Sequence, residues 1–522
     1  MKFKDIKLII KKQLKNKFPN WKRLKKKEKK KAAKKISEAV IQEYDSKKVI
    51  EAPIEELISI DNQTPERGIL TIDQMNTKIE DFQKNSVIKI NKLKTNIEND
   101  KLRFIDNLLD DYIINDLLSY KGFNPHMREY LPSNFLRAEL LKSLMYPEIS
   151  YRKFCSDEYL GINRKQNREF IGLRLNTKKY FDHTQLSKFR SSLKFVQATN
   201  LLVYILRYFF ESGILSKDNV IHGADSTELP NDNKIPLFSK KVGDKKIKVY
   251  TDLDSDCGQR RNKRNKSKYF VGYRMHTLTA IDTKTNQSFP LLSLISAANH
   301  HDSLFLKPLI SLAQAIGIDL KLITADEAYH DSDNSIYEDT GVRLITPSSI
   351  NVKLPANVEA DTLAVTCNDS CEIPMKHLGS FEEGHEFKCT AKEGECIHKN
   401  DCTQCRIIPF DNGYYQRVMP VGKHAEEALD IRKNIERPFN LLKFREGLEN
   451  IRVRSQKSFI ALSVFATMTN LLIELEKRSA KTDIGENKQI NLFDFIKEKE
   501  EIGINLESSN SNVQLKVFDN AA

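Results

Sequence analysis

Two aspartates in this 522-residue chain, Asp225 and Asp326, each close a short apolar run, residues 220–224 and 321–325. Carboxylates at strand ends are held by the sheet while projecting into a crevice, where hard divalent cations prefer oxygen ligands. A third carboxylate on a packed helix would complete such a cage, and Glu436 is the best candidate. Arg432 precedes it by four residues and Lys443 follows by seven, so all three share one helical stripe. A solvated charge ladder has the same spacing, and spacing alone leaves that reading open.

Other carboxylates compete for the role. Asp252, Asp254 and Asp256 alternate beside Gly258 but lack the rest of a calcium loop, so they read as a solvated turn. Glu228 and Glu327 neighbour the proposed ligands and are substitutes for them in a shifted register. Asp302 and Asp331 suit capping or support of the site. His276 and His301 could orient phosphate or water, although ordinary hydrogen bonds account for most histidines in β-rich segments.

Charge is distributed unevenly. The net charge is +13, and residues 1–35 carry 17 Lys or Arg against 2 acidic residues, so the basic character belongs to an N-terminal arm. Such an arm suits a polyanion, by release of condensed counterions, or equally a solubilising tail. A second concentration, Arg260, Arg261, Lys263, Arg264, Lys266 and Lys268, lies beside the predicted sheet and is a candidate for DNA-backbone contact, with a plain surface run as the alternative. Six of the eight cysteines fall within residues 348–417. Of these, Cys389, Cys396, Cys402 and Cys405 form the best set for structural tetrahedral Zn²⁺, with free thiols or disulfides as the other readings.

These groups need elements to position them. Residues 36–130 read as modestly amphipathic helices, a DNA-binding part or a spacer. Residues 131–215 read as a helical block, with one helix over 137–144 and another over 185–210 capped by Asp182 or Thr184. From 216 to 347 the order is strand, hairpin (269–281 and 288–297), helix (304–316, closed by Gly317), strand, short helix and strand, which describes a mixed α/β sheet with helices against its faces. The cysteine-rich segment 348–417 interrupts this pattern. It resumes over 418–478 with helices at 425–444 and 459–476, and a polar tail fills 479–522. No run reads as a membrane span or a signal peptide, which places the chain with DNA in the cytoplasm.

In order along the chain, these motifs resemble the insertion-sequence DDE transposases, specifically the class with a Tyr-x2-Arg-x3-Glu-x6-Lys signature. Arg432, Glu436 and Lys443 match its last three members, while Leu429 replaces the tyrosine. The resemblance also rests on the stretches around Asp225 (Gly223 to Thr227) and Asp326 (Ala325 to Tyr329), on Phe270 to His276, on Ala297 to Ser303, and on the segment from Asp182 to Arg190. It implies an RNase H-like mixed sheet flanked by helices, with a helical N-terminal region and a cysteine-rich insertion. It further implies cleavage at element ends and strand transfer into target DNA with two Mg²⁺ (or Mn²⁺) ions, Asp225 bridging both and Asp326 and Glu436 each completing one shell. Arg432 and Lys443 would approach phosphate oxygens. The implied partners are double-stranded DNA at terminal repeats, target DNA and further copies of the chain. A metal-dependent nuclease without strand transfer, and a non-catalytic DNA-binding protein, are the alternatives.

Overall fold

The computed structural model describes residues 3–46, 68–85, 97–118, 129–215, 220–231, 235–242, 245–261, 267–283, 285–331, 335–347, 358, 365–367, 373–380, 384–391, 405–408, 430–446, 448 and 455–481. The basic N-terminal segment is helical. Helix α1 (Phe3–Lys17) and helix α2 (Lys26–Ser46) pack against each other across the turn at Trp21. Ile6, Ile10 and Leu14 recur every four residues on α1 and are buried with Ala33, Ile36 and Val40 of α2.

A helical block follows, made of α3 (Ile72–Asn85), α4 (Asp100–Leu108), α5 (Asp111–Leu118), α6 (Pro132–Met145), α7 (Tyr151–Phe154), α8 (Asp157–Leu160), α9 (Lys165–Ile171), α10 (His183–Ser192) and α11 (Phe195–Glu211). The expected single helix over 185–210 is two, because Leu193 and Lys194 adopt extended backbone and each opens or closes a helix there. Asp182 caps α10 as expected, its carboxylate accepting from the backbone N–H groups of Thr184 and Gln185. The block is pinned by buried ion pairs. Arg137 donates to Asp106 and Asp111, each at 2.6 Å, and Arg190 donates to Glu139 at 2.6 Å, while Tyr151 Oη also donates to Glu139. Removing one partner of such a pair strands a buried charge, which typically costs about 3–5 kcal/mol.

The sheet comprises β1 (Val220–Pro230), β4 (Asp256–Arg261), β5 (Ser267–Asp282), β6 (Ser288–Ala297), β7 (Leu322–Ala325) and β8 (Arg343–Ile345). Its order is β4-β5-β1-β7-β8, with β6 pairing the distal part of β5. β5 runs antiparallel to β1 and β6, whereas β1, β7 and β8 are mutually parallel. Helix α12 (Ser303–Ala315) covers the β5–β6 hairpin and ends at Gly317, whose φ of 94° suits the left-handed closing position. A short helix, α13 (Ser335–Thr340), leads into β8. The result is a curled mixed α/β sheet flanked by helices.

Between β1 and β4 the hairpin β2 (Phe238–Val242) and β3 (Lys245–Val249) leaves the sheet, and Leu237, Ile247, Val249 and Leu253 join the buried face of α1 and α2. Further along, β9 (Lys376–Ser380), β10 (His385–Lys388) and β11 (Cys405–Ile408) form a separate three-stranded sheet. The chain returns through α14 (Glu436–Glu446) and α15 (Gln456–Lys481). The expectation that no segment is apolar enough to span a membrane does not hold by composition, since Gln456–Arg478 passes on length and hydropathy. Its most apolar window is nonetheless 89% buried, against β6, α11, α10 and α6, so its apolar surface is spent on the protein core.

Candidate active site

The parallel pairing of β1 with β7 positions the two aspartates. Ala224 lies opposite Ala325, so Asp225 and Asp326 are the next residues on neighbouring strands. Asp225 is inside β1 and does not end it, because residues 226–230 keep pairing with β5 down to Gly272. Asp326 does leave its strand, and its carboxylate accepts from Ala328 N–H at 3.0 Å to cap a 3-10 turn. Burial pushes Asp225 up to about 7, with Asp326 and Asp302 adding to the rise and Arg432 opposing it. Asp326 is raised as well, again chiefly by burial, with the same help from Asp302 and opposition from Arg432.

The segment carrying Arg432 and Glu436 is seated on β1. Ile435 is 1% exposed and packs directly over Gly223, where any Cβ would meet its side-chain atoms at 2.2 and 2.6 Å. Glycine is required here for close approach, and the close approach sets the height of the following helix over the sheet. Of the helix expected over 425–444, residues 430–432 are helical, a 3-10 turn, Lys433–Ile435, interrupts it, and α14 continues it; residues 425–429, including Leu429, lie outside the described residues. Glu436 starts α14 and is exposed, and Lys443 sits half-buried about two turns further on. Thus Asp225, Asp326 and Arg432 come together, and Glu436 is one residue beyond the contact that docks its helix. Among the described residues, no three His, Cys, Asp or Glu side chains are already gathered closely enough to hold a metal ion.

A support that sequence reading left unassigned is Arg274. Its Nη1 donates to both carboxylate oxygens of Asp302, at 3.0 and 2.8 Å, and its other nitrogens donate to the carbonyls of Ala298 and Gln259. The signal was available in the alternation of β5, which puts residues 272, 274 and 276 on one face. His276 is buried on that face, stacked on Phe305 at 4.3 Å, with Nε2 at 2.8 Å from Ser296 Oγ. Burial lowers it to about 3, against the pull of Asp302, which favours the neutral ring. Tyr329 lies near Asp302, Asp225 and Asp326, and burial first, then those charges, hold its hydroxyl protonated well above the usual range.

The remaining candidates separate. His301 is exposed and bonds Ser303, and Asp331 accepts from Ser335 and Ile336 N–H at the start of α13. Glu327 is exposed in the turn after Asp326, and Glu228 lies across from Arg274 in the β1–β5 register. Asp252, Asp254 and Asp256 are not a solvated turn. Lys7 donates to Asp256 at 2.5 Å, Lys11 lies 3.4 Å from the same group, and Lys15 pairs with Asp254. Asp252 instead accepts from Tyr273 Oη at 2.7 Å and Asn231 at 3.1 Å. Their lysine partners come from more than 230 residues away, which is why local sequence gave no sign of them.

Of the second basic cluster, Arg260 and Arg261 end β4 and Lys268 faces Arg260 across the β4–β5 ladder; Lys263, Arg264 and Lys266 lie outside the described residues. Cys389 follows β10 and Cys405 opens β11 opposite Lys388, so these two end neighbouring strands, and Cys389 packs with Cys367 on a small core of Val365, Met375, Phe387 and Ile408. Cys396 and Cys402 lie outside the described residues.

No protein-family model matches this chain, and no curated protein matches it. Among solved structures, the chain is similar to a piggyBac transposase in a synaptic complex with hairpin DNA, at 11% identity and a TM-score of 0.33, over 82% of this chain and 86% of that one.

Proposed function

We propose that this chain is a DNA transposase that cleaves element ends and transfers the strands to target DNA. The observation that carries the reading is the juxtaposition of Asp225 and Asp326 on adjacent parallel strands, with Arg432 acting on both. The order β6-β5-β1-β7-β8, antiparallel in its first three strands and parallel in its last three, supports reading the sheet as RNase H-like. The donor set fits a hard divalent cation. It offers only oxygen, and burial disfavours the ionised carboxylates in a way that a bound cation would offset.

In this reading Asp225, Asp326 and, from the first turn of α14, Glu436 hold Mg²⁺ or Mn²⁺. Metal bound there would activate a water or 3′ hydroxyl and neutralise charge on the leaving 3′ oxygen. Arg432 orients the scissile phosphate through two-pronged contacts, and Lys443 meets a neighbouring phosphate as a point charge. Arg274 fixes Asp302 so that its charge stays beside the aspartate pair without turning into it. Arg260, Arg261, Lys263, Arg264, Lys266 and Lys268 are assigned to contact with the DNA backbone, and joining two ends calls for at least two copies of the chain.

The test incubates full-length protein with DNA from the ends of its own element, with Mg²⁺ or with EDTA, and maps nicks and joined ends. Asp225→Asn, Asp326→Asn and Glu436→Gln are each expected to lose at least about 1,000-fold in cleavage while keeping DNA affinity measured in EDTA. Cleavage retained by all three variants overturns the assignment. Cleavage without joined product reduces it to a nuclease, and binding without cleavage to a DNA-binding protein.

A further inference from the structure

Two sets of lysines stand out in the N-terminal segment. On α1, Lys7, Lys11 and Lys15, spaced by four, pair with Asp256 and Asp254 and clamp the helix to the loop that enters edge strand β4, while Lys12 and Lys17 are exposed. Trp21 adds a bond from its indole N–H to the Thr251 carbonyl at 2.9 Å. On α2, Lys29 is buried and the other lysines face outward. Lys26, Lys27, Lys30, Lys31, Lys34 and Lys35 are all exposed. At 3.6 residues per turn they occupy one continuous arc of about 180°, over roughly 14 Å of helix axis. The opposite arc holds Ala33, Ile36 and Val40, which are buried. Glu28 and Glu38 are the acidic side chains nearest this ridge, and Lys34 lies 3.9 Å from Glu38.

We propose that this face of α2 is a second, sequence-independent binding surface for the phosphate backbone of duplex DNA, held rigid on the catalytic sheet by the α1 clamp. The chemistry of the ridge selects the partner. The larger apolar side chains of α2 among the described residues, Ile36, Val40 and Ile41, are already buried in the hairpin contact, which leaves them no part in inserting into a lipid interface. Nor does the lysine arc offer the aromatic or apolar anchors that protein partners use. What it offers is a dense line of point charges, and duplex DNA presents about one phosphate charge per 1.7 Å of axis. Because α1 is tied to the start of β4, DNA held by α2 is tethered to the same rigid unit as β5 and β1. The proposal deepens the transposase reading by naming where non-catalytic DNA contact is made, and its test needs no catalysis.

The experiment measures affinity of the full-length chain for a 30-base-pair duplex lacking any element sequence, in EDTA, from 50 to 200 mM salt. The quadruple variant K30Q/K31Q/K34Q/K35Q is compared with wild type, with its Lys→Arg counterpart, and with Asp225→Asn. At a slope of about 0.9 per lost phosphate contact, wild type is expected to lose up to roughly 150-fold more affinity than the glutamine variant across that salt range. The arginine variant and Asp225→Asn should both track wild type. An unchanged salt slope in the glutamine variant, with an unchanged thermal melt, overturns the proposal. So does binding to anionic phospholipid vesicles that exceeds binding to the duplex. Failure of Asp225→Asn to abolish cleavage leaves this result intact, so the two readings fall separately.

Discussion

Replacing Gly223 by alanine tests whether α14 takes its position from the sheet. The new Cβ would lie 2.2 Å from Ile435 Cδ1 and 2.6 Å from Cγ1. Carbon atoms in contact rest at about 3.5–4.0 Å, so Ile435 must retreat by roughly 1–1.5 Å. Its Cδ1 is the mobile end of the side chain, but Cγ1 is not, and the residue is 1% exposed with β1 below it, so part of the retreat falls on the backbone that carries Arg432 and Glu436. Overpacking of this kind costs about 1–3 kcal/mol, and a displacement near 1 Å in groups aligned for reaction costs about 100-fold in rate. The assay pairs denaturant unfolding with Mg²⁺-dependent cleavage for Gly223→Ala, Ile435→Val, Ile435→Ala and the double variants. Ile435→Ala alone should destabilise by about 2–5 kcal/mol through the cavity it leaves. Combined with Gly223→Ala it should be milder than the sum, because the alanine methyl occupies that space, and cleavage should recover relative to Gly223→Ala. Full activity in Gly223→Ala, or strictly additive stabilities, would falsify the seating of this helix on β1 as the determinant of the site.

Other expectations follow from the same contacts. Arg274→Lys keeps a charge beside Asp302 but loses the guanidinium bonds to the Ala298 and Gln259 carbonyls that fix its direction, and cleavage should fall at least about 10-fold with a rise in the Mg²⁺ needed for half-maximal rate, DNA affinity in EDTA being unchanged; an unaltered Mg²⁺ dependence refutes a positioning role. Burial, with help from Asp254, raises Asp252 from 3.8 to about 6, opposed by the Tyr273 hydroxyl and by Lys11. A carboxyl raised on folding contributes stability that is complete below pH 4 and is lost as pH rises through 6, so Asp252→Asn should gain on wild type between pH 4 and pH 7 by on the order of 3 kcal/mol, read from urea unfolding; a pH-independent difference excludes Asp252 as the source. Cysteine-bound Zn²⁺ through Cys389, Cys396, Cys402 and Cys405 predicts about one zinc per chain by elemental analysis, lost in Cys389→Ser and Cys405→Ser; fully folded protein without zinc removes that role.

Much of the secondary structure was legible locally. The hairpin of β5 and β6, the helix closed by Gly317, the cap at Asp182 and the short strand before Asp326 all follow from periodicity, turn chemistry and capping, which act within a few residues. The acidic residues and their spacing from Arg432 and Lys443 were equally plain in the chain. Tertiary structure decided what those residues meet. Only strand pairing sets Asp225 beside Asp326, since that depends on β1 choosing β7 as its parallel neighbour across 100 residues. Only packing shows that Gly223 is the seat of Ile435, or that within one run of lysines Lys7, Lys11 and Lys15 pair with Asp254 and Asp256 while Lys26, Lys27, Lys30, Lys31, Lys34 and Lys35 are left exposed. Local sequence encodes torsional preference and amphipathic period; a buried charge or a close backbone approach is defined by a partner distant in the chain, and becomes visible only when the fold brings that partner within a few ångströms.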